Sequence, residues 1–382
     1  MTDLLITNAH IYAEGNVSNT WLAIRDGKID AYGRGEPPTD AAKVIDAAGQ
    51  HLLPGFVDIH VHGGDNADTM DAKPESIQQM ARFYARHGVT SFLATTWTDN
   101  RENITAALEN VASCLGPQPD GATLRGVHLE GPYLNPNKSG AQSTQHIRTA
   151  DRAEANQWLD LDVIRVVSLA PEYTENHWLI EECAKRGITV SAAHTNASYE
   201  DMTQAVSLGV SHCTHTFNAM SGLHHRRPGV VGAALSIPEL TCEIIADNIH
   251  VHPAVQRLLW NAKHFQNVVL VTDAIRAAGM PDGDYPIDER TVQVREGVAQ
   301  LEDGTLAGST LTMDAALRNF LKAMGSSLDL VYEAATLTPA RVAGIADVTG
   351  SIELGKDADL VLLNDKQCVQ ATIIHGVIVY KA

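Results

Sequence analysis

Residues Pro54–Gly63 read PGFVDIHVHG. Gly55–His60 is an apolar run of strand length, and it closes in His60-Val61-His62. In extended backbone, residues i and i+2 project to one side, so the two imidazoles share a direction. A helical pattern follows over Pro74–His87, with Ile77, Met80, Ala81 and Tyr84 on one face. A strand is expected at Val89–Thr95 and a helix at Asn103–Leu115.

The alternation continues. Strands are expected at Leu124–Glu130, Val163–Ala170, Ile188–His194, Val210–His215, Leu240–Ala246 and Val268–Asp273. Helices are expected at Arg152–Leu161, Asn176–Arg186, Tyr199–Leu208 and Ala254–Phe265, then at Leu311–Met324 and Leu328–Ala346. Strands separated by helices argue for a parallel sheet, and eight such units for an α/β fold of closed (β/α)8, TIM-like barrel type.

The two ends of the chain read differently. LLITNAHIYAEG (Leu4–Gly15) and WLAIRDGKIDAYG (Trp21–Gly33) carry β-formers, with a hairpin signal at Asp26-Gly27. GSIELGKDADLVLLN (Gly350–Asn364) and VQATIIHGVIVYK (Val369–Lys381) are similar. Residues 1–53 and 350–382 are therefore expected to form one small β-sandwich domain beside a barrel spanning 54–349.

The chain has 382 residues, 44% of them hydrophobic, enough for a large core. Its formal net charge of −18 repels nucleic acid and anionic lipid, so neither is an expected partner. A phosphate-bearing ligand would need a local cationic pocket. No apolar run is long enough to cross a bilayer, and acidic and polar residues interrupt the first fifteen positions, so a cytoplasmic protein is expected. The five cysteines form no CxxC pair and read as reduced thiols.

Polar residues collect at the strand ends. The first expected strand ends in His60 and His62, the third in Glu130, the fifth in His194, the sixth in His215 and the eighth in Asp273. A barrel gathers these ends at one mouth. Imidazoles and carboxylates together suit zinc, iron, manganese or cobalt, with zinc or iron foremost, and six ligands exceed the needs of one tetrahedral ion. One or two divalent ions are expected. His128, His177, His212 and His264 read as ordinary core or surface histidines.

These residues resemble the amidohydrolase superfamily, in PGFVDIHVHG and in the order HxH, acid, two single histidines and the late aspartate of VTDA (Val271–Ala274). HLEGPYLNPNKSGAQ (His128–Gln142), SAAHTNAS (Ser191–Ser198), HTFNAM (His215–Met220), ADNIHVHP (Ala246–Pro253) and LAGSTLTM (Leu306–Met313) are similar to the N-acetylglucosamine-6-phosphate deacetylase family within it. The resemblance implies a metal-dependent amide hydrolase acting on a phosphorylated amino sugar. It implies that Glu130, His194 and His215 hold the principal metal, that His60 and His62 complete a two-metal site, and that Asp273 is a metal-adjacent proton shuttle. It implies substrate contacts from Ala141, Asn218, Ala219, Arg226, His250 and Ala307, Gly308 and Ser309, and a homodimer. Some relatives carry a histidine where this chain has Gln142, and the acetyl-polarising role of that histidine falls to Gln142 or to a second metal.

Arg226, in HHRRPG (His224–Gly229), is the foremost candidate for the phosphate, and this loop is also a candidate to reach a neighbouring subunit. The competing reading is another amidohydrolase, such as a D-aminoacylase, dihydroorotase or nucleobase deaminase. Many ring-opening members place a bridging lysine at a strand end. Here Glu130 stands instead.

Overall fold

The computed structural model describes residues 2–13 and 16–382; Met1, and Glu14 and Gly15 at the end of the expected Leu4–Gly15 stretch, lie outside the described residues. Eight parallel strands pair in chain order: Phe56–Val61, Val89–Thr95, Gly121–Glu130, Ile164–Leu169, Thr189–Ala192, Val210–Cys213, Thr241–Ile245 and Val268–Val271. The first and eighth meet through a parallel bridge between Val61 and Ala274, whose carbonyl accepts from both His62 N and Gly63 N at 2.9 Å. The sheet is thus closed into a barrel. Strands buried on both faces read as continuous apolar runs, and Phe56–Val61 and Val268–Val271 are buried throughout.

Helices cover the barrel with one apolar face each. Pro74–Arg86 starts on a proline and buries Ile77, Met80, Phe83 and Tyr84. Tyr199–Leu208 starts on a reciprocal cap: Ser198 Oγ accepts from Asp201 N at 3.0 Å, and Asp201 Oδ2 accepts from Ser198 N at 2.8 Å. Two differences from the sequence reading have local causes. The expected helix Leu328–Ala346 is broken into Leu328–Val331, a 3₁₀ turn at Tyr332–Ala335 and Leu337–Val342. Thr336, at φ −130° and ψ −84°, stands at the break, and its hydroxyl donates to the Tyr332 carbonyl. A three-stranded antiparallel sheet (Gly283–Pro286, Thr291–Arg295, Val298–Gln300) follows the eighth barrel strand and has no counterpart in the expected elements.

The chain ends build a separate eight-stranded sheet. His51–Pro54 lies antiparallel to Leu360–Leu363 and parallel to part of Thr2–Ala13, so the late strands join the early ones directly. Leu4, Ile6, Ile11, Leu22, Ile24, Leu52, Leu360 and Ile373 form its core. At the seam with the barrel, Arg125 Nη2 lies 3.0 Å from Asp357 Oδ2 and 3.1 Å from Asp359 Oδ2, and Lys28 Nζ lies 2.5 Å from Asp357 Oδ1.

Candidate metal centre

The barrel brings His60, His62, Glu130, His194, His215 and Asp273 to one mouth, all nearly or fully buried. His194, His215 and Asp273 each follow their strand in the left-handed region, at φ 43°, 29° and 49°. Such a conformation in a residue with a Cβ costs roughly 1–3 kcal/mol and clusters at functional sites. The backbone turns there, at the strand ends, where the three side chains enter the mouth.

Glu130 divides the cluster. Its Oε1 lies 3.2 Å from His194 Nε2 and 3.2 Å from His215 Nε2, and these two nitrogens are 3.1 Å apart. Its Oε2 lies 3.2 Å from His62 Nε2 and 3.7 Å from His60 Nε2. Asp273 Oδ1 faces the same two rings, 3.5 Å from His60 Nε2 and 3.3 Å from His62 Nε2. Two groups of three, Glu130–His194–His215 and His60–His62–Asp273, each hold their ligand atoms within 4.8 Å of one another.

The remaining ring nitrogens test whether a cation fits. His194 Nδ1 meets the Lys138 carbonyl at 2.8 Å, so this nitrogen donates and Nε2 keeps its lone pair. His60 Nδ1 meets Glu243 Oε2 at 2.8 Å, which likewise leaves Nε2 as the lone-pair atom. His60 Nε2 is buried without a hydrogen-bond partner among the described residues. Lone pairs converging in a buried space, with carboxylates between them, are a donor set for a divalent cation. The electrostatics agree. Burial works to raise the Glu130 pKa, but His60, His194 and His215 hold it well below the ordinary range. Burial works to lower that of His62, yet Asp273 and Glu130 push it up to about 9.

Glu243 escapes the sequence reading. It sits inside the seventh strand, fully buried, where an acid among apolar residues resembles ordinary alternation. Besides His60, its carboxylate meets His212 Nε2 at 3.0 Å and accepts from His215 N at 3.0 Å. His212 is thus a core histidine, tied one step behind the mouth. His128 is another, satisfied by the Ile59 carbonyl at 2.9 Å and by Ser168 Oγ at 2.7 Å.

A cavity of about 500 Å³ opens over the cluster. Of the expected substrate residues, Ala141, Gln142, Asn218, Ala219, His250 and Gly308 line it. Gln142 is committed on both sides of its amide: Nε2 donates to Glu130 Oε2 at 2.6 Å, and Oε1 accepts from Thr98 N at 2.8 Å. His250 Nδ1 meets Asp247 Oδ2 at 2.6 Å. Burial opposes its protonation, and Asp247 outweighs burial and raises its pKa. Gly308, at φ 57°, passes so close to Asp273 that an added Cβ would stand 2.9 Å from the Asp273 carbonyl. Ala307 and Ser309 lie behind the wall: Ala307 packs in the core of the three-stranded sheet, and Ser309 Oγ donates to the Thr272 carbonyl at 2.5 Å. Arg226 is not brought to the mouth of its own chain. It is exposed and lines a different cleft with Asn196, Tyr199 and Arg227. Trp97 and Lys138 line the main cavity without having been singled out from the sequence.

Comparison with known proteins adds independent findings. The sequence pattern of the amidohydrolase family matches residues 51–379. The chain is 39% identical to a Bacillus subtilis (strain 168) N-acetylglucosamine-6-phosphate deacetylase, over 99% of this chain and 97% of that protein. It is 38% identical to an N-acetylgalactosamine-6-phosphate deacetylase of Escherichia coli O157:H7, over 98% and 99%. A mutant of the Mycobacterium smegmatis N-acetyl-D-glucosamine-6-phosphate deacetylase, solved with N-acetyl-D-glucosamine-6-phosphate, superposes with a TM-score of 0.92 at 29% identity, covering all of both chains.

Proposed function

The chain belongs to the amidohydrolase family, and from that premise we propose how its mouth residues perform the reaction. The protein is a metal-dependent amide hydrolase that converts N-acetylglucosamine 6-phosphate and water to glucosamine 6-phosphate and acetate. The carrying observation is the Glu130 carboxylate, whose two oxygens face two separate pairs of imidazoles.

In this reading Glu130, His194 and His215 would hold one divalent cation, and His60, His62 and Asp273 would hold a second. A divalent cation held there, zinc or iron, supplies Lewis acidity toward the acetyl oxygen and lowers the pKa of nearby water. Burial raises the Asp273 pKa, but His60 and His62 pull it below the ordinary value, so the group enters the reaction ionised. Asp273 accepts the proton of the attacking water and returns it to the amine nitrogen, which leaves as a neutral amine. Gln142 anchors Glu130. His250, its pKa raised by Asp247, turns toward the sugar phosphate, with Asn218 and Ala219 lining the same cavity.

Arg226 supports a homodimer reading. A guanidinium suited to phosphate stands exposed, in the same loop as the 57% exposed Leu223, and away from its own pocket. The loop is assigned to the partner's site. Sedimentation should report a dimer, and Arg226→Ala should raise KM far more for the phosphorylated sugar than for N-acetylglucosamine. A cytoplasmic setting is inferred from the five free cysteines.

Acetate release from N-acetylglucosamine 6-phosphate by the metal-loaded enzyme tests the activity. The galactosamine epimer belongs in the same assay because one relative bears that name. Absence of acetate release from both sugars would remove the deacetylase reading.

A further inference from the structure

The eight strands follow chain order around the barrel, so the second faces the sixth and stands far from the seventh. Trp97 lies just beyond the second strand, Asn218 and Ala219 beyond the sixth, and His250 beyond the seventh. The scissile amide must sit between them, over Glu130 and Asp273. Its sugar and phosphate take the side where the His250 ring and the Asn218 amide line the cavity. The acyl chain leaves the carbonyl carbon on the side away from the nitrogen, and so runs toward Trp97.

The Trp97 indole is a wall at that point. It lies flat on the His62 ring, with centroids 3.8 Å apart and planes 16° apart. It also lines a second cavity of about 640 Å³, bounded by Asp68, Met70, Thr98, Asn100, Asn103 and Arg276. A single side chain therefore borders both spaces, with the reactive centre on one side and a second cleft on the other.

We propose that Trp97 sets the length of acyl group the enzyme accepts, and that removing the indole opens the second cavity to longer N-acyl hexosamine 6-phosphates. The inference rests on the deacetylase reading above. An acetyl methyl ends at the indole. A butanoyl chain has two further carbons, which meet the ring.

The test compares kcat/KM for N-acetyl- and N-butanoylglucosamine 6-phosphate, by release of free amine, in wild type, Trp97→Ala and Trp97→Phe. Wild type should strongly favour the acetyl substrate. Trp97→Ala should raise the butanoyl-to-acetyl ratio at least tenfold, and Trp97→Phe by less. Trp97 touches His62, so bound metal is quantified in each protein. The ratio on one preparation cancels any shared loss of metal. If the alanine variant does not fold, the phenylalanine variant decides. An unchanged ratio, or a wild type that takes both substrates equally, overturns the proposal. A wild type inactive on the acetyl substrate overturns the deacetylase reading itself, which keeps the two failures distinct.

Discussion

Two buried clusters of charge among the described residues are built in opposite ways. At the seam between barrel and terminal sheet, every carboxylate oxygen of Asp357 and Asp359 meets a donor from the chain: Lys28, Arg125, Thr349 Oγ1 at 3.0 Å or His375 N at 3.0 Å. At the mouth, Glu130, Asp273 and Glu243 are surrounded by imidazoles, yet His60 Nε2, His62 Nδ1 and His215 Nδ1 find no hydrogen-bond partner among the described residues. A cluster that serves stability closes on itself, because an unpaired buried charge is expensive. A cluster that serves chemistry leaves valence open at a shared point, as His60 Nε2 does between Glu130 and Asp273.

Four substitutions press on that contrast, the largest effect first. Asp273→Asn keeps the shape of the mouth and removes its proton carrier. Turnover should fall by roughly 10²–10⁴, with substrate binding by calorimetry retained. An active Asp273→Asn enzyme would refute the shuttle. Arg125→Met does the reverse: it opens the closed cluster. Leaving Asp357 and Asp359 short of their cation should destabilise the fold by about 3–5 kcal/mol in denaturant titrations. Turnover per folded molecule should stay near wild type, and a matching loss of turnover would show that the seam is not purely structural.

Glu243→Gln is expected to lower affinity for the ion on the His60 side by roughly 10–100-fold, because the His60 ring loses the carboxylate that fixes its tautomer. Metal titration should show the site on the His60 side weakened more than the site that shares His215, whose backbone N–H also meets Glu243. Two unaltered sites would make Glu243 a packing group. The smallest effect concerns a second closed cluster, in which Asp314 meets His87 at 3.0 Å and Arg318 at 2.7 Å. Burial works to raise the Asp314 pKa, and His87, Thr312 and Arg318 hold it well below the ordinary value. A carboxyl depressed in the folded state contributes stability that is complete above its unfolded pKa of about 3.9 and is lost as pH falls toward the folded value. Melting temperatures of Asp314→Asn should therefore approach those of wild type as the solution is made more acid. A gap that stays constant with pH would assign Asp314 no electrostatic share.

What could be read from the sequence follows from how loudly each residue breaks its local pattern. A histidine or acid that stops an apolar run is conspicuous, so the six mouth residues and the barrel strands stand out. Glu243 interrupts its strand, TCEII, at a place where alternation explains it equally well. Trp97 does not stand out, because nothing local tells an indole on a wall from one in the interior. Arg226 stands out by charge as a candidate for phosphate, but the direction in which its loop points is a tertiary fact. The three-stranded sheet carries short strands of three to five residues, too brief for periodicity to register. The break at Thr336 precedes Pro339, which has no N–H to donate to the turn before it and so stands in the first turn of a new helix, although the flanking apolar residues keep helical spacing.

The pairing of His51–Pro54 with Leu360–Leu363 has a consequence for biosynthesis. The ribosome delivers His51–Pro54 more than three hundred residues ahead of its antiparallel neighbour. Until translation reaches that neighbour, one edge of the early strand has no hydrogen-bond partner and is open to strands of other nascent chains. The terminal sheet can be completed only after the barrel has been synthesised, so slow elongation through the barrel prolongs the interval in which a chaperone must shield this edge.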